Sequence, residues 1–234
     1  MMISSGHPIS ERKRAAIEMF EQGNNKGVLD ILNEEDIERD IQSAKNKLAI
    51  GAQIVDDARN EIRSLVEEYL LKAKTWMSTY SEANRFDEAC KCYEQAIALT
   101  RESLTEEDLA ERLLEYGEFL HDIYQYHKIE TYYQEALDIC DRLAKAYPEV
   151  YEAKVAMTLN NLAVLYSDTQ RFDKAEEYLL RALEIYERLV SQWPDVYASN
   201  VQIVQQNLQI LKENKQGTPK TTLSFWERLK RLFT

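Results

Sequence analysis

Three histidines and three cysteines are the residues from which this 234-residue chain could build a nucleophile, a general base or a metal site. His7, His121 and His127 stand in no HExxH pattern, and none is paired with a cysteine at ligand spacing. Cys90 and Cys92 lie two apart in a helical pattern, which turns their side chains about 200° away from each other. They can neither chelate one metal nor close a bridge without breaking the helix. With Cys140 they read as packing residues of a reducing cytoplasm. There is no glycine-rich phosphate loop and no nucleophile elbow. Carboxylates are plentiful, but pairs such as Glu176 and Glu177 follow the spacing of a helix surface. The expectation is therefore a protein that is not an enzyme, uses no cofactor and no metal, and works by binding.

The elements that would position such binding are repeated. ALDICDRLAKAYPEVYEAKVAMTLNNL (Ala136 to Leu162) reads against ALEIYERLVSQWPDVYASNVQIVQQNL (Ala182 to Leu208), 46 residues on, with Pro148 and Tyr151 falling on Pro194 and Tyr197. A repeat of this period marks a solenoid, in which each unit buries its apolar face only against its neighbours. Within it, Leu159, Leu162, Ala163 and Tyr166 recur at helical spacing, SDTQRFD (Ser167 to Asp173) breaks the stripe, and Ala175, Tyr178, Leu179 and Ala182 resume it. Ala163 and Ala182 fall where two helices touch, and larger side chains would hold the backbones apart.

LNNLAVLYSDTQRFDKAEEYLLRAL resembles a tetratricopeptide repeat (TPR), with Ala163 where that motif favours Gly or Ala. Stepping back from Ala182 through Ala136 to Ala96 finds two earlier copies. One holds Leu113, Tyr116, Gly117, Leu120, Ile129, Tyr132 and Tyr133; the other holds Ala73, Trp76, Met77, Tyr80, Ala89 and Tyr93. The spacings of 40 and 46 residues exceed the usual TPR length of about 34, so the second helix of each pair, helix B, is expected to be extended. That length, and the LNNLA run, resemble the kinesin-light-chain type of TPR found also in many bacterial repeat proteins. Pro148 and Pro194 are expected to end the B helices, with Tyr147 and Trp193 wedged against the next unit.

The resemblance implies that the first helices, the A helices, line a concave groove for an extended peptide or a partner helix. Carried over by position, the groove residues are Lys74 and Ser78 in the first copy, Glu118 and His121 in the second, Asn160, Asn161, Val164 and Ser167 in the third, and Asn207 in the last helix. Asn offers donors and an acceptor together, so Asn160 and Asn161 could pair with a peptide backbone, or simply form a solvated polar face. His121 and His127, on either side of an inter-helix turn, read equally as solvated or packing residues. Lys74 alone does not make a carboxylate clamp and Glu118 would repel an acidic terminus, so a neutral or basic peptide is expected.

Upstream, Ile9 to Asn33 reads as a short hairpin, with Ala15, Ala16, Met19 and Phe20 on one face, EQGNNKG as the turn, and Val28, Leu29, Ile31 and Leu32 on the other. Asn33 followed by Glu34, Glu35 and Asp36 starts a helix. From there Ile41, Leu48, Val55, Ile62 and Tyr69 repeat every seven, interleaved with Ile37, Ala44, Gly51, Ala58 and Leu65. A single helix to Tyr80 would span roughly 70 Å. Either it bends near Gly51 and is covered within the chain, or it forms a coiled coil with a second copy, making a homodimer.

Thr105 and Asp108 resemble a capping box, as do Ser224 and Glu227. In LSFWERLKRLFT, Phe225, Trp226, Leu229, Leu232 and Phe233 gather opposite Arg228, Lys230 and Arg231. This terminal helix could cap the solenoid, engage a partner, or lie on an anionic membrane. From Lys215 onward five basic residues meet one Glu, a charge of +4, which leaves −16 on the remainder of a chain whose net charge is −12. An acidic body excludes a nucleic-acid surface, which needs a basic stripe. MMISSGHPISERKR has no apolar core of a signal peptide, and no run of eighteen apolar residues occurs, so a cytoplasmic location is expected.

The expected architecture is all-α, a TPR-like solenoid. It comprises a hairpin or cap at 1–33, the heptad helix at 34–69, repeats at 70–109, 110–155 and 156–200, a final A-type helix at 201–214, a linker at 215–222 and the terminal helix at 223–234. Its expected role is a scaffold or adaptor for a protein or peptide partner. The alternative is a structural oligomerisation module acting through the heptad helix or the terminal helix.

Overall fold

In a computed structural model of the chain, residues 11–48, 55–79 and 81–216 are described. Among them are ten helices and no strand, paired with their neighbours along the chain as in a helical-hairpin solenoid. His7, Gly51, Tyr80, most of the linker and the terminal residues Phe225, Trp226, Leu229, Leu232 and Phe233 lie outside the described residues. Two compact units are present, Met1–Arg112 and Leu113–Thr234.

The first unit opens with α1 (Glu11–Glu21) and α2 (Asn25–Ile31). Gly23 takes φ +73° in the turn between them, a conformation that glycine adopts at no steric cost, and Asn24 caps α2 by accepting from the Gly27 amide at 3.1 Å. Helix α3 (Glu34–Leu48) begins on the expected cap, the Asp36 amide donating to Asn33 Oδ1 at 2.9 Å. It is followed by α4 (Val55–Met77), α5 (Arg85–Ser103) and the start of α6 (Glu106–Asp122). The Thr105–Asp108 capping box forms, with Thr105 N to Asp108 Oδ2 at 3.1 Å and Asp108 N to Thr105 Oγ1 at 3.2 Å.

The stretch expected to be one rod is two helices lying against each other. Lys47 Nζ is 2.7 Å from Glu61 Oε1, whereas fourteen residues of straight helix would separate them by about 21 Å. The heptad pattern is satisfied inside the chain, since Ile37, Ala44, Ala58, Ile62, Leu65 and Tyr69 are all buried. Both α3 and α5 flank α4, joined by Gln95 to Glu34 at 2.7 Å near the start of α3 and by Lys45 to Glu102 near its end. Their common direction is that of successive B helices. Arg12 of α1 donates from Nε and Nη2 to Glu68 of α4 at 2.9 and 2.6 Å and from Nη1 to Asp40 of α3 at 2.8 Å. Glu68 is fully buried, so the guanidinium is what lets a carboxylate stand in this core. Residues 11–48 are thus a further hairpin of the stack, α1 with α2 in the A position and α3 as its B helix.

The second unit continues α6 from Leu113 and adds α7 (Tyr126–Ala146), α8 (Pro148–Asp168), α9 (Phe172–Gln192) and α10 (Pro194–Lys215). The extra length of the repeat is shared by both helices, α8 and α9 having 21 residues each. Pro148 and Pro194 begin α8 and α10 rather than merely ending the helices before them, as suits a residue with φ preset and no N–H to lose. Tyr147 is 63% exposed and so is no wedge, while Trp193, 40% exposed, meets the ring of Tyr197 on α10 edge-on at 6.4 Å.

Helices α6 and α8 end alike, on Tyr124 (φ 60°) and Gln170 (φ 59°), with Gln125 N bonding to Leu120 O at 2.8 Å and Arg171 N to Tyr166 O at 2.7 Å. Helix α1 ends the same way, Asn24 N bonding to Met19 O at 2.9 Å after Gly23. Gly117 of α6 lies so close to Tyr133 of α7 that a Cβ there would sit 2.2 Å from Tyr133 Cε1. Ala163 and Ala182 are likewise buried, at the expected close approaches.

The last A helix differs from the one before it in a directed way. Thr158, Asn161 and Leu165 of α8 fall on Val204, Asn207 and Leu211 of α10, and all six are buried. Leu159, Ala163 and Tyr166, also buried, are replaced by Gln205, Gln209 and Lys212, which are exposed. One face is kept for the stack and the other is given to water.

Candidate functional site

The groove residues expected from sequence do not form one exposed row. In the first unit Lys74 is exposed on the last turn of α4, and Ser78, just beyond it, is half-buried. Ser78 Oγ donates to Lys74 O at 3.1 Å, and Ser78 O accepts from Asn25 Nδ2 at 3.1 Å, so the start of α2 closes over that end of α4.

In the second unit Glu118 is exposed and Ser167 half-buried, but His121 is 3%, Asn160 8%, Asn161 6%, Val164 5% and Asn207 6% exposed. The asparagines do not form the solvated face expected: Asn160 and Asn207 are bonded to each other and Asn161 is buried. Asn207 Nδ2 donates to Asn160 Oδ1 at 2.7 Å, joining α10 to α8, and His121 Nε2 lies 2.7 Å from Asp168 Oδ2, joining α6 to α8. In the first unit the same kind of rung joins α4 to α6: Arg63 donates from Nε and Nη2 to the two oxygens of Asp108 at 3.1 and 3.0 Å, and Arg112 Nη1 lies 3.3 Å from Glu67 Oε1. Polar side chains on neighbouring A helices are used to set the helices beside one another. Burying an amide pair is cheap only when both members are bonded, which fixes their register.

Among the residues that stay open on α8 and α10 are apolar ones. Met157, 40% exposed, is the exposed residue in a run of α8 from 155 to 166 that is otherwise buried, so it marks the open side. Residues seven apart share a helix side, which puts Val150, 57% exposed, and Val164 on that line. The 46-residue offset carries the three onto Val196, Ile203 and Ile210 of α10, of which Val196 is 59% exposed and the two isoleucines are half-buried. The candidate surface is this pair of stripes on adjacent A helices, open at Val150, Met157, Val196, Ile203 and Ile210 while Val164 itself is buried, with exposed Glu118 and Asp122 on α6 of the same unit. Sequence reasoning found only Val164. The signal for the other five was present in the two aligned copies, where an apolar residue recurs every seven positions outside the stripe that faces helix B.

The frame behind the stripe is held firmly. Tyr166 donates to Glu130 Oε1 at 3.0 Å, Arg171 Nη1 meets Glu130 Oε2 at 2.8 Å, and the Arg171 guanidinium lies 4.4 Å from the centre of the Tyr166 ring. Burial opposes ionisation of Glu130, but the bonds from Arg171 and Tyr166 outweigh it and lower its pKa. Burial, reinforced by Glu130, raises the Tyr166 hydroxyl above the ordinary tyrosine range, so it remains a donor. On the far side, Tyr178 and Tyr186 of α9 reach Gln134 of α7 and Ala153 O of α8 at 3.5 and 3.4 Å. Among the described residues no group of three His, Cys, Asp or Glu could hold a metal, and no helix is long and apolar enough to cross a membrane.

A helical-hairpin stack joined by such rungs is the architecture of a repeat scaffold, and comparison with known families gives the repeat its name. Two family models described as tetratricopeptide repeat match the chain, one over residues 155–195 and one over 78–107. The chain therefore contains tetratricopeptide repeats, which generally mediate protein–protein interactions and are typically non-catalytic scaffolds. No curated protein matches it. Among solved structures, the crystal structure of BtubC (BKLC) from P. vanneervenii is 19% identical, covers 93% of this chain and 95% of its own, and superposes with a TM-score of 0.43.

Proposed function

We propose that this protein is a scaffold or adaptor that holds an amphipathic segment of a partner protein across the open sides of α8 and α10. The observation that carries the proposal is the doubled apolar stripe, Val150 and Met157 beside Val196, Ile203 and Ile210. Apolar side chains left in water on two adjacent helices, at matching heights, suit a helix laid in a groove better than an extended peptide read through its backbone. The asparagines that would have read a backbone are bonded to each other or buried. Glu118 and Asp122 in the same unit, and a body charge of −16, favour a neutral or basic partner over an acidic one.

Calorimetry with a Leu/Lys amphipathic helical peptide and its Leu/Glu counterpart tests this. The basic peptide is expected to bind, and Met157→Asp with Ile203→Asp to abolish binding while leaving the thermal transition in place. Glu118→Ala should weaken it modestly. Tighter binding of the acidic peptide, or binding indifferent to the double substitution, would overturn the proposal.

The burial of the heptad seam favours the scaffold reading over the oligomerisation alternative. The heptad seam that would have met a second copy is buried between α3 and α4 at every described position except the half-buried Ile41 and Val55.

A further inference from the structure

The open stripe of α8 and α10 and the segment 223–234 of the same chain are matched in length, charge and reach. From Val196 to Ile210 the stripe runs along fourteen residues of α10, about 21 Å. The twelve residues 223–234, wound as the helix that their pattern specifies, measure about 18 Å. Helix α10 ends at Lys215, so Ile210 lies five residues back, about 8 Å along the axis. The six residues 217–222 span up to about 20 Å when extended, and they include Gly217 and Pro219, which do not prolong a helix. They are long enough to bring the chain back along α10. By helical spacing Phe225, Trp226, Leu229, Leu232 and Phe233 share one side, and Arg228, Lys230 and Arg231 crowd into the second half of the segment. Laid antiparallel to α10, that basic half arrives beside Val150 and Val196, where Glu149 and Asp195 stand exposed in the first turns of α8 and α10. The place that a further helix B would take suits the segment less, because Gln205, Gln209 and Lys212 face it with a polar and partly basic wall.

We propose that residues 223–234 occupy the groove of α8 and α10 within their own chain, antiparallel to α10, so that a partner must displace them to bind. This rests on the stripe being a groove for a basic amphipathic helix. The apolar side of the segment covers Met157 and Ile203, and the charges set its direction more than its strength, since exposed ion pairs contribute little affinity. A segment on so short a tether is present at an effective concentration of about 1 mM. With an intrinsic Kd of about 0.1 mM it fills the groove about nine-tenths of the time, and a competing peptide binds about tenfold more weakly. The scaffold is then selective by default: a weak basic helix is turned away, and a partner that binds well pushes the segment out.

The test compares the full chain with the same chain carrying Leu229→Asp and Leu232→Asp, which spoil the apolar side of the segment and leave the groove untouched. Both are titrated calorimetrically with the Leu/Lys amphipathic peptide, and a peptide of residues 221–234 is titrated into the substituted chain. The substituted chain is expected to bind the Leu/Lys peptide about tenfold more tightly than the native chain does. It should also bind the 221–234 peptide, and adding Met157→Asp and Ile203→Asp should abolish both. Equal affinity of the two chains for the Leu/Lys peptide would overturn self-occupancy and leave the groove standing. Binding of neither peptide to the substituted chain would remove the groove, and this proposal with it. Light scattering at the same concentrations should show monomers; a dimer that is lost with Leu229→Asp and Leu232→Asp would place the segment on a second copy and refute docking within the chain.

Discussion

Gly117→Ala sets two known effects against each other at one atom. In a helix interior, replacing Gly by Ala ordinarily stabilises by about 1 kcal/mol, because the glycine backbone loses more freedom on folding. Here the new Cβ would stand 2.2, 2.6 and 2.9 Å from Cε1, Cδ1 and Cζ of Tyr133. Ordinary contact between carbon atoms is about 3.5–4 Å, so the ring or the backbone must give by more than 1 Å. Tyr133 is 1% exposed and its hydroxyl is buried, so the ring has no solvent to retreat into. Overpacking of this kind typically costs about 1–3 kcal/mol and sometimes more.

Set against the propensity gain, Gly117→Ala is expected to lose up to about 2 kcal/mol net, lowering the thermal midpoint by up to about 8 °C in a chain of this size. Circular dichroism at the helical band during heating and urea titration reads both numbers. The control is Gly117→Ala with Tyr133→Leu, where the added methyl has room; there it should cost nothing further or stabilise. A wild-type background stabilised by Gly117→Ala would show that α6 and α7 are not held at the distance described, and the reasoning about small residues would fall with it.

Removing Arg12 should be costlier, because Glu68 is fully buried: Arg12→Met is expected to lose about 3–5 kcal/mol by denaturant titration, and Arg12→Met with Glu68→Leu distinctly less. Of the three thiols, half-buried Cys90 should react first with a disulfide reagent at pH 8, while Cys140, fully buried, and Cys92, whose thiol burial raises to about 11, should react only on unfolding. More than one fast thiol per native chain would contradict the packing of α5 and α7. At Asp108 burial favours the protonated form, but the bonds from Arg63 and Thr105 prevail and lower its pKa to about 2, below the ordinary 3.8. Its stabilising contribution is therefore complete above about pH 4 and drains away as pH falls towards 2. The stability gap between the native chain and Asp108→Asn should be level from pH 7 to 5 and close below pH 4.

Helical periodicity carries the fold far. The stripes through Leu159 to Tyr166 and Ala175 to Ala182, the caps at Asn33 and Thr105, and the small residues at Gly117 and Ala163 are local or nearest-neighbour patterns, and each stands where its spacing places it. The heptads of residues 37–69 were legible only as a surface that must be covered. An apolar stripe does not say whether its cover comes from the same chain or another, and Lys47 beside Glu61 resolves it for α3 and α4. The site was least legible. Asn160 finds Asn207 47 residues away, and His121 finds Asp168 at the same separation, so no window of sequence shows either pair. A polar residue on the inner side of a helix then reads as solvated when it is a strut. Met157 and Ile203 could have been read, since they occupy the same place in two aligned copies.

A solenoid is made of units that fit one another, so its free end is by construction a fair copy of the surface that the next unit expects. Left apolar, such an end invites the start of a second molecule, and because head-to-tail contacts of this sort do not close into a ring, the product is a growing filament. Gln205, Gln209 and Lys212, standing where α8 has Leu159, Ala163 and Tyr166, make that side of α10 polar and so a poor surface for such a contact. The same three positions are the place to edit if an engineer wished to splice another repeat onto this scaffold.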